Sequence, residues 1–158
     1  MQLSDPTQAG FWVPVGVSAL CGGLIGLERQ VRGKPVGIRT AILICLSTQI
    51  FVALGRAHQG EGADATRVLG QVVTGVGFLG GGVILARGGV VTGVTTAAII
   101  WTLAAIGATI GFGELRAAVG LSVAAVTLVA GIELAETRLY SLRRGVHARN
   151  HEPPKPPS

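Results

Sequence analysis

A chain of 158 residues allows one domain, and its composition excludes an ordinary soluble one. Charged residues make up 13% of it, against about 25% in soluble domains, and hydrophobic residues make up 49% before the 25 glycines are counted. The formal net charge of +5 does not indicate nucleic acid as a partner, because the basic residues flank apolar segments and base-stacking aromatic residues are scarce. A small membrane protein is the class that remains.

Five apolar segments follow one another along the chain. Each is about long enough for a helix to cross roughly 30 Å of hydrocarbon. The sequence therefore predicts an all-α, polytopic transmembrane bundle. Pro14 is placed in the first turn of the first helix, where its missing N–H costs little. The N-terminus lacks the basic region of a signal peptide, so the first segment is expected to be retained. The predicted spans are residues 11–27, 38–55, 68–86, 94–112 and 117–134.

The third segment is unusually rich in glycine. Between Arg67 and Arg87 lie 19 residues without a charge. In water its glycines would each weaken a helix by up to about 1 kcal/mol, but in a bilayer glycine lets helices approach closely. We expect a packed helix, with a break near residues 80–82 as the alternative, and a packing face through Gly77 and Gly81. The helix-packing candidates are Gly75, Gly77, Gly80, Gly81 and Gly82. Gly22–Gly26 and Gly107–Gly111 have the same spacing.

The basic residues divide unevenly between the two sides of the predicted bundle. Ten of the 13 Lys and Arg residues fall in the first loop, the third loop and the C-terminal tail, and three fall on the other side. By the positive-inside rule the N-terminus is predicted to lie outside and the C-terminus in the cytoplasm.

The chain is predicted to consist of a transmembrane domain, residues 1–140, and a tail, residues 141–158. The tail is basic and proline-rich, without apolar periodicity, so we expect it to be disordered. It either contacts anionic lipid headgroups or serves only as a topology anchor. The histidines lie in loop or tail and the two cysteines in apolar runs, which gives no support to a metal or redox site.

Charges of both signs gather where the predicted spans meet the cytoplasm. Glu28 and Arg29 end the first span, Arg39 opens the second, and Glu133 and Glu136 close the fifth, three positions apart on one helix face. Because charges at bilayer depth are costly unless paired, Glu28 and Arg39 are expected to pair. The alternative is that all of them extend into the headgroups. Polar uncharged residues within spans, such as Gln49 and Gln71, either line a polar path or bond neighbouring helices.

No enzyme or cofactor is predicted from these residues. No Ser-His-Asp or Cys-His set can be assembled, and the glycines lie within an apolar span rather than in a phosphate-binding loop. Magnesium would require carboxylates around bound waters, and none lies near the middle of a span. Magnesium conduction therefore has little support, although the glutamates at the cytoplasmic edge leave a metal site open.

Three segments together resemble a known family. They are GGLIGLERQVRGKPVGIRTAILICLST (22–48), DATRVLGQVVTGVGFLGGGVIL (64–85) and VTGVTTAAIIWTLAAIGATIGFG (91–113). In this order and spacing they resemble the membrane domain of the MgtC/SapB family of bacterial inner-membrane proteins, over residues 16–135. The chain departs from the family where Gln30 stands in place of a second acid found in many relatives. It also ends in a short tail where virulence-type members continue into a soluble domain, so a virulence role is not carried over.

The resemblance implies a multi-pass inner-membrane protein with its N-terminus outside. It also implies a link to growth in low magnesium, and regulation of other membrane proteins, including the F-type ATP synthase. Carried over by position, the polar motif residues are Glu28, Arg29, Arg39, Thr40, Asp64, Arg67, Gln71, Thr95 and Thr96.

Two functions are therefore expected from the sequence. The first is a non-enzymatic module that modulates membrane partners by helix contacts. We expect it to be a homo-oligomer, because glycine-rich helix faces require partners. The alternative is a small transporter or channel for magnesium or another ion. Membrane lipids are expected neighbours in either case.

The predicted topology can be tested by cysteine labelling. A cysteine at Gln59 should react with an impermeant thiol reagent from outside, and one at Lys34 should not, because the ten-to-three division of basic residues places residue 34 in the cytoplasm. Reaction from outside at Lys34 alone would reverse the orientation.

Overall fold

The structure, a computed structural model, describes residues 6–57 and 65–138. Within them the chain forms five α-helices and a short β-hairpin. In chain order these are α1 (Ala9–Val31), α2 (Ile38–Ala57), α3 (Ala65–Gly82), β1 (Leu85–Arg87), β2 (Val90–Thr92), α4 (Val94–Gly111) and α5 (Leu115–Arg138). The chain divides into two units at Val126. The first holds α1 to α4, the hairpin and the start of α5, and the described part of the second is the rest of α5. The predicted domain boundary at residue 140 lies outside the described residues.

The predicted helical membrane fold is confirmed. Among the described residues, α1, α2, α4 and Leu115–Ala135 of α5 are long and apolar enough to cross a membrane. The 18 residues of α3 do not meet that criterion, so a crossing by α3 remains a prediction. Helix α1 begins earlier than expected, and Pro14 therefore lies in its second turn rather than its first.

The third predicted span ends earlier than expected. Helix α3 stops at Gly82, and residues 85–92 form an antiparallel hairpin in which Leu85 pairs with Thr92 and Arg87 with Val90. The two-residue turn is Gly88–Gly89, and both glycines have positive φ, 56° and 81°. This is the backbone that a two-residue hairpin turn prefers, and valines flank it on the second strand. A span extending to Ala86 is therefore wrong.

Glycines bring α2 into backbone contact with α1. A Cβ atom on Gly22 would lie 2.7 Å from Ala41 O, and one on Gly26 would lie 2.6 Å from Ile38 Cα. Both glycines are buried, four residues apart on one face of α1. Only a residue without a side chain fits at such a distance, so this spacing forms a close helix contact in the structure.

A second glycine pair brings α4 against the same helix, α2. A Cβ atom on Gly107 would overlap the carbonyl oxygen of Cys45, and one on Gly111 would lie 2.7 Å from Val52 Cβ. Helix α4 is the most buried of the four candidate membrane spans.

An apolar cluster lies between α4 and its neighbours. Ile100 and Ala104 of α4 form it with Val76 of α3, and the partly buried Ile44 and Val72 pack against it.

The packing face expected through Gly77 and Gly81 requires correction. A Cβ atom on Gly81 would meet nothing within 4 Å, whereas one on Gly80 would lie 3.3 Å from Trp101 Cδ1. A Cβ atom on Gly77 would lie 3.9 Å from the same ring, which is an ordinary van der Waals distance. Residues 77 and 80, three apart, therefore face α4, where Trp101 lies against this row. Gly75 and Gly82 also have open space beside them within the chain.

The glycine contacts predict opposite effects of alanine at two positions. Gly107→Ala should lower the melting temperature in detergent, because the new methyl group collides with the backbone of α2, a defect worth about 1–3 kcal/mol. Gly81→Ala should leave the melting temperature unchanged or raise it, because the space is open and alanine favours a helix by about 1 kcal/mol in water. Equal tolerance at the two positions would contradict close packing of α4 on α2.

Candidate functional site

Two of the predicted site residues meet in the core. Arg29, in the last turn of α1, is buried with 3% of its surface exposed. Its Nη2 donates to Oγ1 of Thr96, in the first turn of α4, at 3.4 Å, across 67 positions of the sequence. Thr96 is also buried, at 5% exposed. The end of α1 and the start of α4 are thus joined by a polar contact inside the bundle.

The loop between α1 and α2 is bonded to the same arginine. Nε of Arg29 donates to the carbonyl of Pro35 at 3.4 Å, and the carbonyl of Arg29 accepts from the N–H of Lys34 at 2.9 Å. Val36 has a positive φ of 64°, which is rare for a β-branched residue and strains the backbone. A strained residue persists only where its surroundings fix it, so Arg29 holds a loop of defined shape.

The charge pairing of Glu28 differs from the predicted one. Its Oε1 lies 2.7 Å from Nε of Arg32, four residues further along the chain. The side chain of Arg39 is exposed. The contact with Arg32 is an ion pair, and Oε1 of Glu28 has no hydrogen-bond partner among the described residues. The expected pairing of Glu28 with Arg39 is wrong, because Arg32 is within reach one helical turn away.

The remaining polar candidates are not gathered around Arg29. Thr40, Arg67, Gln71 and Thr95 are exposed, and Glu133 is half-buried. Asp64 lies outside the described residues, as does the side chain of Glu136.

An arginine that the sequence analysis did not single out binds the opposite end of α4. Nη1 of Arg56 donates to the carbonyl of Gly111 at 3.1 Å, and its guanidinium lies over the Phe112 ring, 5.8 Å from the centroid. A cation at a helix C-terminus is favoured by the helix dipole and by the unpaired carbonyls there. The signal available in the sequence was only that Arg56 ends one apolar segment while Phe112 ends another.

Comparison with known proteins identifies the family. The model of the MgtC family matches residues 15–138. The chain belongs to the MgtC family. This agrees with the resemblance of the three sequence segments and extends it through the last helix.

Named relatives of this MgtC-family chain come from several bacteria. The Escherichia coli (strain K12) protein called "Putative magnesium transporter YhiD" is 43% identical over 112 residues, which cover 66% of this chain and 52% of that protein. Protein MgtC of Brucella abortus (strain 2308) is 39% identical over 126 residues, covering 75% and 51%. The chain thus spans about half the length of these relatives. No solved structure matches it.

The buried amide of Gln49 has no hydrogen-bond partner among the described residues of this MgtC-family chain. Gln49, on the face of α2 that contacts α4, is fully buried, and neither its Oε1 nor its Nε2 makes a hydrogen bond with the described residues. A buried amide left unpaired costs about 1–3 kcal/mol. The sequence had suggested that Gln49 lines a polar path or bonds another helix, and within this chain the structure shows neither contact.

The unpaired amide predicts a stabilising substitution. Gln49→Met keeps the length of the side chain and removes both polar atoms, so the melting temperature in detergent should rise, by up to the equivalent of about 1–3 kcal/mol. Gln71→Met, at an exposed position of α3, is the matched control and should have little effect. A fall in melting temperature for Gln49→Met alone would show that the amide is hydrogen-bonded in the folded protein.

Proposed function

We propose that this MgtC-family chain is a non-enzymatic protein of the bacterial inner membrane that acts in magnesium homeostasis by contacting other membrane proteins. The name of the Escherichia coli relative and the family support the link to magnesium. The F-type ATP synthase is the partner that the family resemblance suggests. The observation that favours contact over transport is the outer face of α3.

The outer face of α3 consists of Gln71, Gly75, Phe78 and Gly82, which follow one another at helical spacing. All four are exposed, Phe78 at 83%, so the amide of Gln71 is open to whatever surrounds the helix. Facing lipid, that amide would be unsatisfied. Facing a second helix, the glycines allow close approach and the amide finds a partner.

The charge of the core also favours this function. Among the described residues Arg29 is the buried charged side chain, while Glu28, Glu114 and Glu133 lie near helix ends. A buried cation repels Mg²⁺, and magnesium is bound in proteins through carboxylates and waters.

A carrier of magnesium or another ion is the second candidate function. A groove of about 450 Å³ between α2 and α3 supports it. Ser47 and Thr48 of α2 line this groove beside apolar residues, and so does Gln71, which lies where the outer face of α3 meets the groove. These three side chains offer oxygen ligands without charge.

Site-specific photo-crosslinking in native membranes tests the contact function. A photoreactive residue at Phe78 should give protein adducts of defined mass, whereas one at Leu43, 63% exposed on α2, should react with lipid alone. Mass measurement then identifies the adduct as a second copy or as another membrane protein. Lipid adducts alone at both positions would contradict the proposal.

Flux in proteoliposomes tests the second function. We expect no magnesium entry into dye-loaded vesicles for the native chain under any gradient. Entry that is lost in Glu28→Gln, and retained in Glu114→Gln at an exposed position, would establish transport and overturn the contact function as the primary one.

A further inference from the structure

The hairpin of β1 and β2 has a fixed base. Gly93, which follows β2 and caps α4, has a positive φ of 87°, and a Cβ atom there would overlap the carbonyl oxygen of Val83. Only glycine fits at this contact, because any side chain would collide with backbone. Oγ1 of Thr92 also donates to the carbonyl of Leu85 at 3.5 Å, between the two strands. The base of the hairpin is therefore held against the end of α3.

Both faces of this hairpin expose apolar side chains. Leu85 and Val90 lie on one face and are 53% and 43% exposed, and Val91 lies on the other face and is 58% exposed. In water a two-stranded hairpin is at best marginally stable. Hydrocarbon is equally unsuitable, because the outer edges of a two-stranded sheet carry backbone N–H and C=O groups that would find no partner there. The headgroup layer of a membrane meets both requirements, since it offers apolar contact and water together.

Basic side chains are exposed at the same end of the bundle. The contact of Arg29 with Thr96 joins the end of α1 to the start of α4. Val36, in the loop after α1, packs against the same apolar cluster as Val83, at the start of the hairpin. The loop between α1 and α2 and the hairpin are therefore neighbours. The exposed bases of this loop and of the start of α2 are Arg32, Lys34 and Arg39.

The acidic residues do not balance these bases. Among the described residues of the first unit, the acidic side chains are those of Glu28 and Glu114. Glu28 pairs with Arg32, and Glu114 follows α4 at the opposite end of the bundle. The surface formed by the hairpin and the neighbouring loop is therefore both apolar and positively charged. This combination is typical of segments that lie in the headgroup layer of a membrane containing anionic lipids.

We infer that this surface, the hairpin of residues 85–92 with Lys34 and Arg39, binds the headgroup layer of an anionic membrane. Its exposed apolar side chains contact the upper part of the acyl chains, its strand edges bond to water and headgroups, and the two bases meet lipid phosphates. The partner is the lipid surface, in contrast to the outer face of α3, for which a protein partner is proposed. The competing explanations are a hairpin that remains in water and one that is covered by a second copy of the chain.

Spin labelling of the full chain in nanodiscs separates these explanations. Val91→Cys carries the nitroxide, and because Cys21 and Cys45 are fully buried, the native chain treated with the same reagent gives the background. Dissolved oxygen concentrates in lipid and a nickel chelate in water, so the ratio of their relaxation effects reports the depth of the label. With phosphatidylglycerol in the discs, the ratio at Val91 should lie between that of Leu43→Cys, on the exposed face of α2, and that of free label in buffer.

Two results at Val91 would overturn the inference. A ratio equal to that of the free label would place the hairpin in water. A label that is shielded from both oxygen and the nickel chelate would mean that a second copy of the chain covers the hairpin.

The charge of the lipid tests the role of the bases. Replacing phosphatidylglycerol with phosphatidylcholine should move the Val91 label closer to water, because the attraction of the anionic headgroups is lost. Lys34→Gln combined with Arg39→Gln should remove this difference between the lipids. Arg67→Gln combined with Arg116→Gln removes the same charge from exposed positions at the opposite end of the bundle and should preserve the difference. An equal loss in both double variants, or no difference in the native background, would overturn the inference.

A second label position keeps the test decisive if Val91→Cys disturbs the strand. Ala86 pairs with Val91 across the hairpin and is also exposed, so Ala86→Cys reports on the same face. It should give an intermediate depth and the same dependence on lipid charge. A label at Ala86 as accessible to the nickel chelate as the free label, in both lipids, would contradict binding of the headgroup layer.

Discussion

Backbone contact between helices is the constraint on which the rest of this fold depends. Within a bilayer, apolar side chains gain little by meeting one another, since lipid tails are equally apolar. Association then relies on close packing, and α2 approaches both α1 and α4 at pairs of glycines four residues apart, Gly22–Gly26 and Gly107–Gly111. Both pairs are buried, and any side chain there would meet backbone. Because α2 is held on both sides, the end of α1 is fixed relative to the start of α4, and Arg29 reaches Thr96.

Helix α4 shows two opposite uses of an arginine. At its C-terminus Arg56 satisfies a free carbonyl and lies against Phe112, an arrangement that the helix dipole favours. At its N-terminus Arg29 is buried and donates to Oγ1 of Thr96, at the helix end where the dipole disfavours a cation. The first contact contributes to stability without further help. The second contact is electrostatically unfavourable. The same arginine also bonds the loop of the strained Val36, through the carbonyl of Pro35.

Much of the architecture was predictable from sequence, because each element was specified locally. The apolar segments predicted the helices, and the Gly-xxx-Gly spacing indicated close packing, which Gly22–Gly26 and Gly107–Gly111 make against α2. That spacing did not indicate which of the similar pairs would be used: Gly77–Gly81 has it, yet the neighbouring Trp101 lies over Gly77 and Gly80. Contact depends on the crossing angle of two helices, which neither sequence alone determines. The hairpin at residues 85–92 was missed because its short apolar strands and the glycine run before them read as a continuing span. The Gly88–Gly89 pair between them was the available signal.

The site was predictable only in part, for a related reason. Arg29 and Thr96 both belong to motifs that the sequence analysis selected, but their meeting across 67 positions is a property of the packed bundle. Glu28 was predicted to pair with Arg39, because several bases of the first loop are close to it in sequence. In the structure it pairs with Arg32, one helical turn away.

The same packing bears on function. A carrier for Mg²⁺ requires a path lined with oxygen ligands and negative charge, and it must change shape to release the ion. Here the buried charge of the described core is a cation, and two helix contacts rest on backbone that leaves no room to slide. Among the described residues the buried amide of Gln49 has no hydrogen-bond partner, and the amide of Gln71 is exposed on the outer face of α3. Contact with a neighbouring helix at the outer face of α3, as in the proposed function, would supply a partner for the exposed amide of Gln71.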